Sequence, residues 1–213
     1  MSRKSPARIY VLAGINGAGK SSIGGAMFRE QETDYFNPDE AAQLIKNRFH
    51  GLDQAEANSM AWSQGRRLLE RAISERLDFA LETTLGGSTI TRLLLEAINS
   101  GFEVYVWYVG LASPEMCIKR VQSRVSKGGH DIPEEDIRRR FDSSRLNLIR
   151  ILPFLEFLRV FDNSHDSDPK QGKEPKPIIV LEMKKGGIVG PGGLSLTPEW
   201  AKPIVAAALK LKQ

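Results

Sequence analysis

A glycine-rich octapeptide near the N-terminus constrains the fold of this chain more than any other feature. Residues 14–21 read GINGAGKS, which matches the pattern G-x-x-x-x-G-K-[ST] in full. The apolar run at residues 9–13 predicts a strand buried on both faces, and the residues after the octapeptide favour a helix. A strand, a glycine-rich loop and a helix in this order indicate a phosphate-binding loop, because the main-chain N–H groups can point at phosphate oxygens.

The positions of this loop have distinct chemical roles. We expect Lys20 to neutralise the β and γ phosphates of ATP and the Ser21 hydroxyl to ligate Mg²⁺, so that both are the expected cofactors. The remaining nucleotide ligands of the loop are expected to be Gly14, Asn16, Gly17, Ala18, Gly19 and Ser22. The alternative is a plain strand-to-helix turn, which the flanking strand and helix make the weaker interpretation.

Strand-like and helical segments alternate along the rest of the chain. Strands are predicted at residues 34–36, 78–83, 102–110 and 178–183, and helices at residues 60–77, 88–100 and 133–150, from residues 37 and 113, and after residue 197. This alternation predicts an α/β fold, in which helices cover a parallel sheet and active groups lie at the carboxyl ends of the strands. We expect one P-loop kinase domain, with a core at residues 8–164 and a C-terminal strand and helix at residues 177–213. In that helix, Trp200, Ile204 and Leu211 should pack on the sheet.

Composition narrows the class of protein. The net charge of +4 and pI near 9.2 could suit an anionic partner, but Lys and Arg are interspersed with Asp and Glu, which favours a solvated surface of mixed sign. The one cysteine, Cys117, has apolar neighbours and is expected to be a packed hydrophobe in a reducing compartment. No apolar run is long enough to cross a bilayer, so we expect a cytoplasmic protein without a membrane partner.

Two carboxylates stand at the ends of predicted strands. Asp39 would lie beside the phosphate loop, and Asn37 and Glu40 already fill the capping roles of the helix that begins there. The alternative is that Asp39 only favours the helix N-terminus electrostatically. Glu82 follows apolar residues, so its carboxylate should face the cleft, since burying it unpaired would be costly. A structural alternative is that Glu82 and Thr84 cap the following turn.

Arginines are the third component of the expected site. Arg120 and Arg124 are four residues apart and share one helical face, where mobile cations could close over a phosphoryl group. In the next helix, geometry favours Arg140 as the cleft-facing arginine and turns Arg139 more nearly outward, although the sequence does not decide among residues 138–140. Gly128 and Gly129 would allow a lid to hinge. Each arginine alone could equally be a surface charge, whereas the set favours function.

Five stretches together are similar to one family. They read AGINGAGKSS, FNPDEAA, FALETTLGG, RVQSRVSKGGHDIPEEDIRRRF and VFDNS, and they run in order over residues 13–164. In these stretches the chain resembles the zeta-toxin-like P-loop kinases, in the short chromosomal branch described as ABC-type ATPases or UDP-N-acetylglucosamine kinases. The resemblance implies a nucleoside-kinase-like sheet with an arginine-bearing lid. It also implies transfer of the ATP γ-phosphoryl group to a hydroxyl of a UDP-linked amino sugar.

The same resemblance implies roles for particular residues. Asp39 would be the general base, and Glu82 and Thr84 would contact the acceptor, with Glu82 also ordering a magnesium-bound water. The resemblance highlights the arginine run at residues 138–140 without deciding which of them enters the site. From helical geometry we expect Arg140 to act in catalysis, and Arg139 is the expected substrate-binding residue. Asn163 resembles part of a late loop near the nucleotide base, although an Asx-type turn at residues 162–164 explains this segment almost as well.

Several functions remain open at this point. The enzyme could act as a toxin held by an antitoxin or as a housekeeping kinase, and another small metabolite or a nucleotide could be the acceptor. The basic pI alone suggests a nucleotide-gated nucleic-acid-binding module, which the lack of interleaved aromatic and basic residues disfavours. None of the strands predicted from the sequence ends in the single Asp with which many P-loop ATPases hold magnesium, and no stretch resembles an ABC transporter signature. These two features favour a kinase over a mechanical or transport ATPase.

Overall fold

A seven-stranded sheet forms the centre of the protein. The computed structural model describes residues 5–21, 35–165 and 177–211. The strands are β1 Arg8–Gly14, β2 Tyr35–Phe36, β3 Phe79–Thr83, β4 Glu103–Gly110, β5 Phe157–Asp162, β6 Ile178–Lys184 and β7 Gly187–Ile188. They lie in the order β2-β3-β1-β4-β5-β6-β7. The predicted α/β fold class, with a sheet flanked by helices, is confirmed, and the sheet is mostly parallel.

The strand directions differ from the prediction at one edge. Strands β1 to β5 pair in parallel, whereas β6 pairs antiparallel to β5 and β7 antiparallel to β6. Ile178 pairs with Asp162, so β6 begins at the end of the sheet where β5 stopped and needs no crossover. Lys185 and Gly186 both have positive φ, the conformation of a tight hairpin turn, and they lead directly into β7.

Six helices flank this sheet within the described ranges. They are α1 Pro38–Arg48, α2 Gln54–Glu75, α3 Ser88–Asn99, α4 Pro114–Val125, α5 Glu134–Ile151 and α6 Lys202–Lys210, with short 3₁₀ turns at Leu152–Phe154, Leu194–Leu196 and Glu199–Ala201. Helix α2 begins earlier than residue 60 because Asp53 and Glu56 form a capping box at its start. Residues 22–34 lie outside the described residues. This segment includes Ser22 of the expected nucleotide site and Asp34 of the predicted second strand. None of the helices in the described ranges is long and apolar enough to cross a membrane.

The core contains β1 and the C-terminal helix largely as predicted. Residues 9 and 11–13 of β1 are completely buried, which fits a strand covered on both faces. Trp200 and Ile204 are also buried, and the Trp200 ring lies where a Cβ on Gly110 would stand. The prediction for Leu211 is wrong, because this residue follows the last turn of α6 and is 40% exposed. Cys117 is fully buried, and burial raises the pKa of its thiol to about 12, as suits a packed hydrophobe.

Candidate active site

The glycine-rich loop joins β1 to a helical turn at Lys20 and Ser21. Gly14, Gly17 and Gly19 have φ values of 142°, 73° and 80°, which residues with a Cβ rarely adopt. A Cβ on Gly14 would lie 2.2 Å from the main-chain oxygen of Val109 on the neighbouring strand. The backbone therefore curls tightly at the carboxyl edge of the sheet, in the form that phosphate binding requires.

Glu82 collects hydrogen bonds at the base of this loop. Its carboxylate is 8% exposed, lies 3.6 Å from the Nζ of Lys20 and accepts hydrogen bonds of 3.3 Å from Ser21 and 2.8 Å from Tyr35. The pairing explains how a carboxylate can be buried at this position. The two side chains expected to bind phosphate and cation thus converge on one carboxylate. Sequence reasoning missed Tyr35, whose only signal was its place on the short strand before Asn37.

Asp39 lies at the start of α1, where Asn37 is the N-cap. The Asn37 side chain accepts hydrogen bonds from the main-chain N–H groups of Asp39 and Glu40. The Asp39 side chain is 53% exposed, and it lies 3.6 Å from the Nη1 of Arg124 and 3.9 Å from the Nε2 of His130. Because Asn37 performs the capping, the Asp39 carboxylate remains available to the cleft.

The arginines of α4 are held by main-chain oxygens. Arg120 donates a 2.8 Å hydrogen bond to the carbonyl of Asn163, and Arg124 donates a 3.0 Å hydrogen bond to the carbonyl of His130. The buried Nε of Arg124 has no hydrogen-bond partner among the described residues. Burial lowers the pKa of His130, and the positive charge of Arg124 lowers it further against the opposing effect of Asp39. His130 is therefore neutral at pH 7 beside Asp39.

Asn163 supports the phosphate loop from the end of β5. Its Nδ2 donates a 2.8 Å hydrogen bond to the carbonyl of Ala18, and its main-chain N–H donates to Gly110. This hydrogen bond joins Asn163 to the loop that should bind phosphate, and the role near the nucleotide base that the resemblance implies for Asn163 stays a prediction. The neighbouring Asp162 accepts hydrogen bonds from Ser164 and from the indole of Trp200, so the alternative of an Asx-type turn holds for Asp162 and Ser164. Asp162 is also the last residue of β5, so the expectation that no strand ends in an Asp is wrong.

Helix α5 holds the loop that follows β3. Ser144 donates to the carbonyl of Thr84, and Asn147 donates a 2.7 Å hydrogen bond to the carbonyl of Leu85, which has a positive φ of 51°. Ser143 donates in the same way to Gly86. The hydroxyl of Thr84 accepts from the N–H of Gly86, so the structural alternative of turn capping applies to Thr84. Sequence analysis placed these serines on helix α5 but missed their contacts with the loop.

Two cavities meet in this cleft. One, of about 330 Å³, is lined by the phosphate loop together with Arg120 and Arg124. The other, of about 450 Å³, is lined by the start of α2, the end of β3 and residues of α3 and α5. The residues common to both linings are Asn16, Pro38, Asp39, Glu82, Thr83 and Thr84. In this shared wall the amide oxygen of Asn16 is buried, and within the part of the chain that the structure describes it has no hydrogen-bond partner. The cleft thus has a phosphate side and a second side that meet at Asp39 and Glu82.

The arginine run of α5 reaches the second cavity. Arg139 and Arg140 both line it and both bond to Asp136, at 2.6 Å and 3.2 Å. Arg139 is the more exposed side chain, at 59% against 30% for Arg140, which agrees with its predicted outward tilt. Arg138 instead bonds to Glu115 of α4 at 2.6 Å. The structure therefore places two of the three arginines at the cleft.

Comparisons with known proteins identify the family. The model of the family described as Zeta toxin matches residues 1–164. A protein of Haemophilus influenzae whose function is uncharacterised is 30% identical over 134 residues, which cover 60% of this chain and 88% of that protein. In a crystal structure of the AvrRxo1-ORF1:-ORF2 complex with ATP, the similar chain has a TM-score of 0.65 at 15% identity; the match covers 97% of this chain and 64%, just under two thirds, of the other.

A second solved structure is similar in fold. It comes from the PezAT chromosomal toxin–antitoxin system of Streptococcus pneumoniae, with a TM-score of 0.55 at 18% identity, covering 82% of this chain and 75% of the other. At these identities the structural neighbours show the fold alone. Family membership is shown instead by the match over residues 1–164, which include the phosphate loop, Asp39, Glu82 and the arginines of the cleft. The chain therefore belongs to the zeta toxin family.

Proposed function

We propose that this protein is an ATP-dependent kinase that transfers the γ-phosphoryl group to a hydroxyl of a UDP-amino sugar such as UDP-N-acetylglucosamine. Family membership and the phosphate-binding loop support the kinase activity. The observation that carries the proposal is the meeting of two cavities at Asp39 and Glu82, beside Lys20. A phosphoryl donor and a separate acceptor can thus reach the same carboxylates from opposite sides.

The phosphate side contains the groups that phosphoryl transfer needs. The loop amides and Lys20 hold the β and γ phosphates, while Arg120 and Arg124 stabilise the negative charge that spreads over the transferred group. Ser21 and Glu82 present oxygen atoms 3.3 Å apart, the donor type that suits Mg²⁺ either directly or through water. When bound, Mg²⁺ would supply charge neutralisation at the phosphates.

Asp39 has the position of a general base. It lies in the wall shared by the two cavities, so an acceptor hydroxyl from the second side can transfer its proton to this carboxylate as the oxygen bonds to phosphorus. Arg124 and His130 lie close to the same carboxylate, at 3.6 Å and 3.9 Å. Thr84, Arg139 and Arg140, which line the second cavity, then contact the acceptor.

The biological setting is part of the proposal. One structural neighbour comes from a toxin–antitoxin system, and the other comes from a complex of two ORF products. An antitoxin protein is therefore the proposed partner, and we propose that the chain works as one domain in the cytoplasm. A housekeeping kinase would share the same chemistry and would need no such partner.

Transfer of radiolabelled phosphate tests the proposal directly. Purified protein with Mg²⁺ and γ-labelled ATP should label UDP-N-acetylglucosamine, whereas Asp39→Asn should bind ATP with nearly parental affinity and transfer nothing. Asp142→Asn is the matched control, because Asp142 is a 73% exposed carboxylate on α5 outside both cavity linings. Absence of label on UDP-N-acetylglucosamine would contradict the acceptor, and parental activity of Asp39→Asn would contradict the base.

A further inference from the structure

The far end of the second cavity has an aromatic wall. Asn58, Trp62 and Gly65 lie three or four residues apart on α2, so they share one helical face, and all three line the cavity. Phe36 closes the adjoining wall and packs so tightly on α2 that a Cβ on Gly65 would lie 2.5 Å from its ring. The Trp62 side chain is 48% exposed, whereas Trp200 is 3% exposed. The indole of Trp62 therefore presents much of its apolar surface outside the core.

Cations surround this aromatic wall. The guanidinium carbon of Arg66 lies 5.9 Å from the centroid of the Trp62 ring, a cation–π geometry, and Arg66 also pairs with Glu70 at 2.8 Å. Arg139 and Arg140 line the same cavity and share the single carboxylate Asp136. Two guanidinium groups on one carboxylate leave an excess positive charge on that side. The cavity thus combines an aromatic surface with capacity for an anion.

We infer that this end of the cavity is a subsite for a nucleobase, which stacks on Trp62, while a phosphate of the same ligand binds Arg139 and Arg140. An aromatic side chain accepts any base through its π face, and an arginine plane beside it adds a cation–π contribution. Guanidinium groups bind phosphate oxygens in a bidentate manner. The subsite rests on the proposed function only in placing the acceptor in this cavity, and it makes Trp62 a specificity-determining residue for that acceptor.

Calorimetry with small ligands tests the subsite without requiring catalysis. The phosphate loop is first saturated with Mg²⁺ and a non-hydrolysable ATP analogue, and the protein is then titrated with UMP, AMP or ribose 5-phosphate, which has no base. At least one nucleotide should bind more tightly than ribose 5-phosphate by on the order of tenfold, the usual contribution of one stacked base. Trp62→Ala should remove this difference, and Trp62→Phe should keep part of it.

A neighbouring residue provides the matched control. Met60 lies on the same helix, is 43% exposed and lines a different groove, between α1 and α2, so Met60→Ala should bind all ligands as the parent does. The outcome that overturns the subsite is equal binding of nucleotides and ribose 5-phosphate, or no effect of Trp62→Ala, or binding of none of these ligands. Quenching of tryptophan fluorescence by the nucleotide, present in the parent and lost in Trp62→Phe, is a second readout.

Failure of the subsite can be distinguished from failure of the proposed function. If the enzyme phosphorylates UDP-N-acetylglucosamine and Trp62→Ala leaves the KM for this acceptor unchanged, the function stands and the subsite is wrong. If no phosphate reaches UDP-N-acetylglucosamine but Trp62→Ala still abolishes the preference for a base, the subsite stands and the acceptor is a different nucleotide derivative. If the proposed function and the subsite are both right, Trp62→Ala should raise the KM for UDP-N-acetylglucosamine about tenfold and retain kcat and the KM for ATP.

Discussion

Asn163 links β5 to the phosphate loop through one hydrogen bond, and its substitution gives a sharp prediction. The side chain is 6% exposed, and its Nδ2 donates 2.8 Å to the carbonyl of Ala18. Asn163→Ala leaves this buried carbonyl without a donor, which costs about 1–3 kcal/mol of unfolding free energy. The same change frees the loop at Gly19, whose missing Cβ leaves just enough room for the amide group.

Asn163→Asp should be the more damaging change for function. It replaces the donor by a carboxylate that faces a carbonyl oxygen and stands beside the site of the triphosphate, so repulsion adds to the lost hydrogen bond. We expect ATP affinity to fall by on the order of tenfold in Asn163→Ala and further in Asn163→Asp, since 1.4 kcal/mol corresponds to a factor of ten.

Two measurements check this prediction. Urea unfolding gives the loss of unfolding free energy, and calorimetry with a non-hydrolysable ATP analogue gives the loss of affinity. Asn99→Ala is the control, because Asn99 is exposed at the end of α3. If Asn163→Asp bound the analogue with parental affinity, the inferred support of the loop by β5 would be refuted.

Three further substitutions test other contacts. Gly14→Ala places a Cβ 2.2 Å from a neighbouring main-chain oxygen, so it should lower unfolding free energy by at least about 1–3 kcal/mol more than Gly51→Ala, which has a positive φ but open space around it. Tyr35→Phe removes the hydroxyl that donates a 2.8 Å hydrogen bond to Glu82. Urea unfolding should show a loss of about 1–3 kcal/mol in unfolding free energy, and phosphate transfer should be slower. Parental values for both would contradict a role for this contact. Since burial lowers the pKa of His130, the unfolded chain binds the proton more readily. The contribution of His130 to the free energy of unfolding is therefore complete above about pH 6.5 and is lost as the pH falls toward the folded pKa. His130→Gln should remove this dependence from unfolding curves measured at different pH values.

The sequence predicted the parts of the fold and site that depend on local pattern. The phosphate loop follows from glycines at positions needing positive φ and from the apolar strand before them. The burial of Ile137, Phe141, Ser144 and Leu148 on one face of α5 follows from helical periodicity.

Features that depend on distant contacts were not predictable in this way. The antiparallel direction of β6 depends on where the chain rejoins the sheet, and the sequence between residues 162 and 177 carries no signal for it. The link from Asn163 to Ala18 and the bond from Tyr35 to Glu82 join residues 145 and 47 positions apart, so no local pattern reports them. Leu211 is an error of a different kind. Helical periodicity would place it on the buried face of α6, but the helix ends at Lys210.

A crystal structure with Mg²⁺ and a non-hydrolysable ATP analogue tests the central claim most directly. We predict that the β and γ phosphates bond to the main-chain N–H groups of residues 16–21, that Lys20 leaves Glu82 to contact them, and that the γ phosphate faces Asp39. Triphosphate bound elsewhere, with Lys20 still 3.6 Å from Glu82, would contradict the kinase proposal at its foundation.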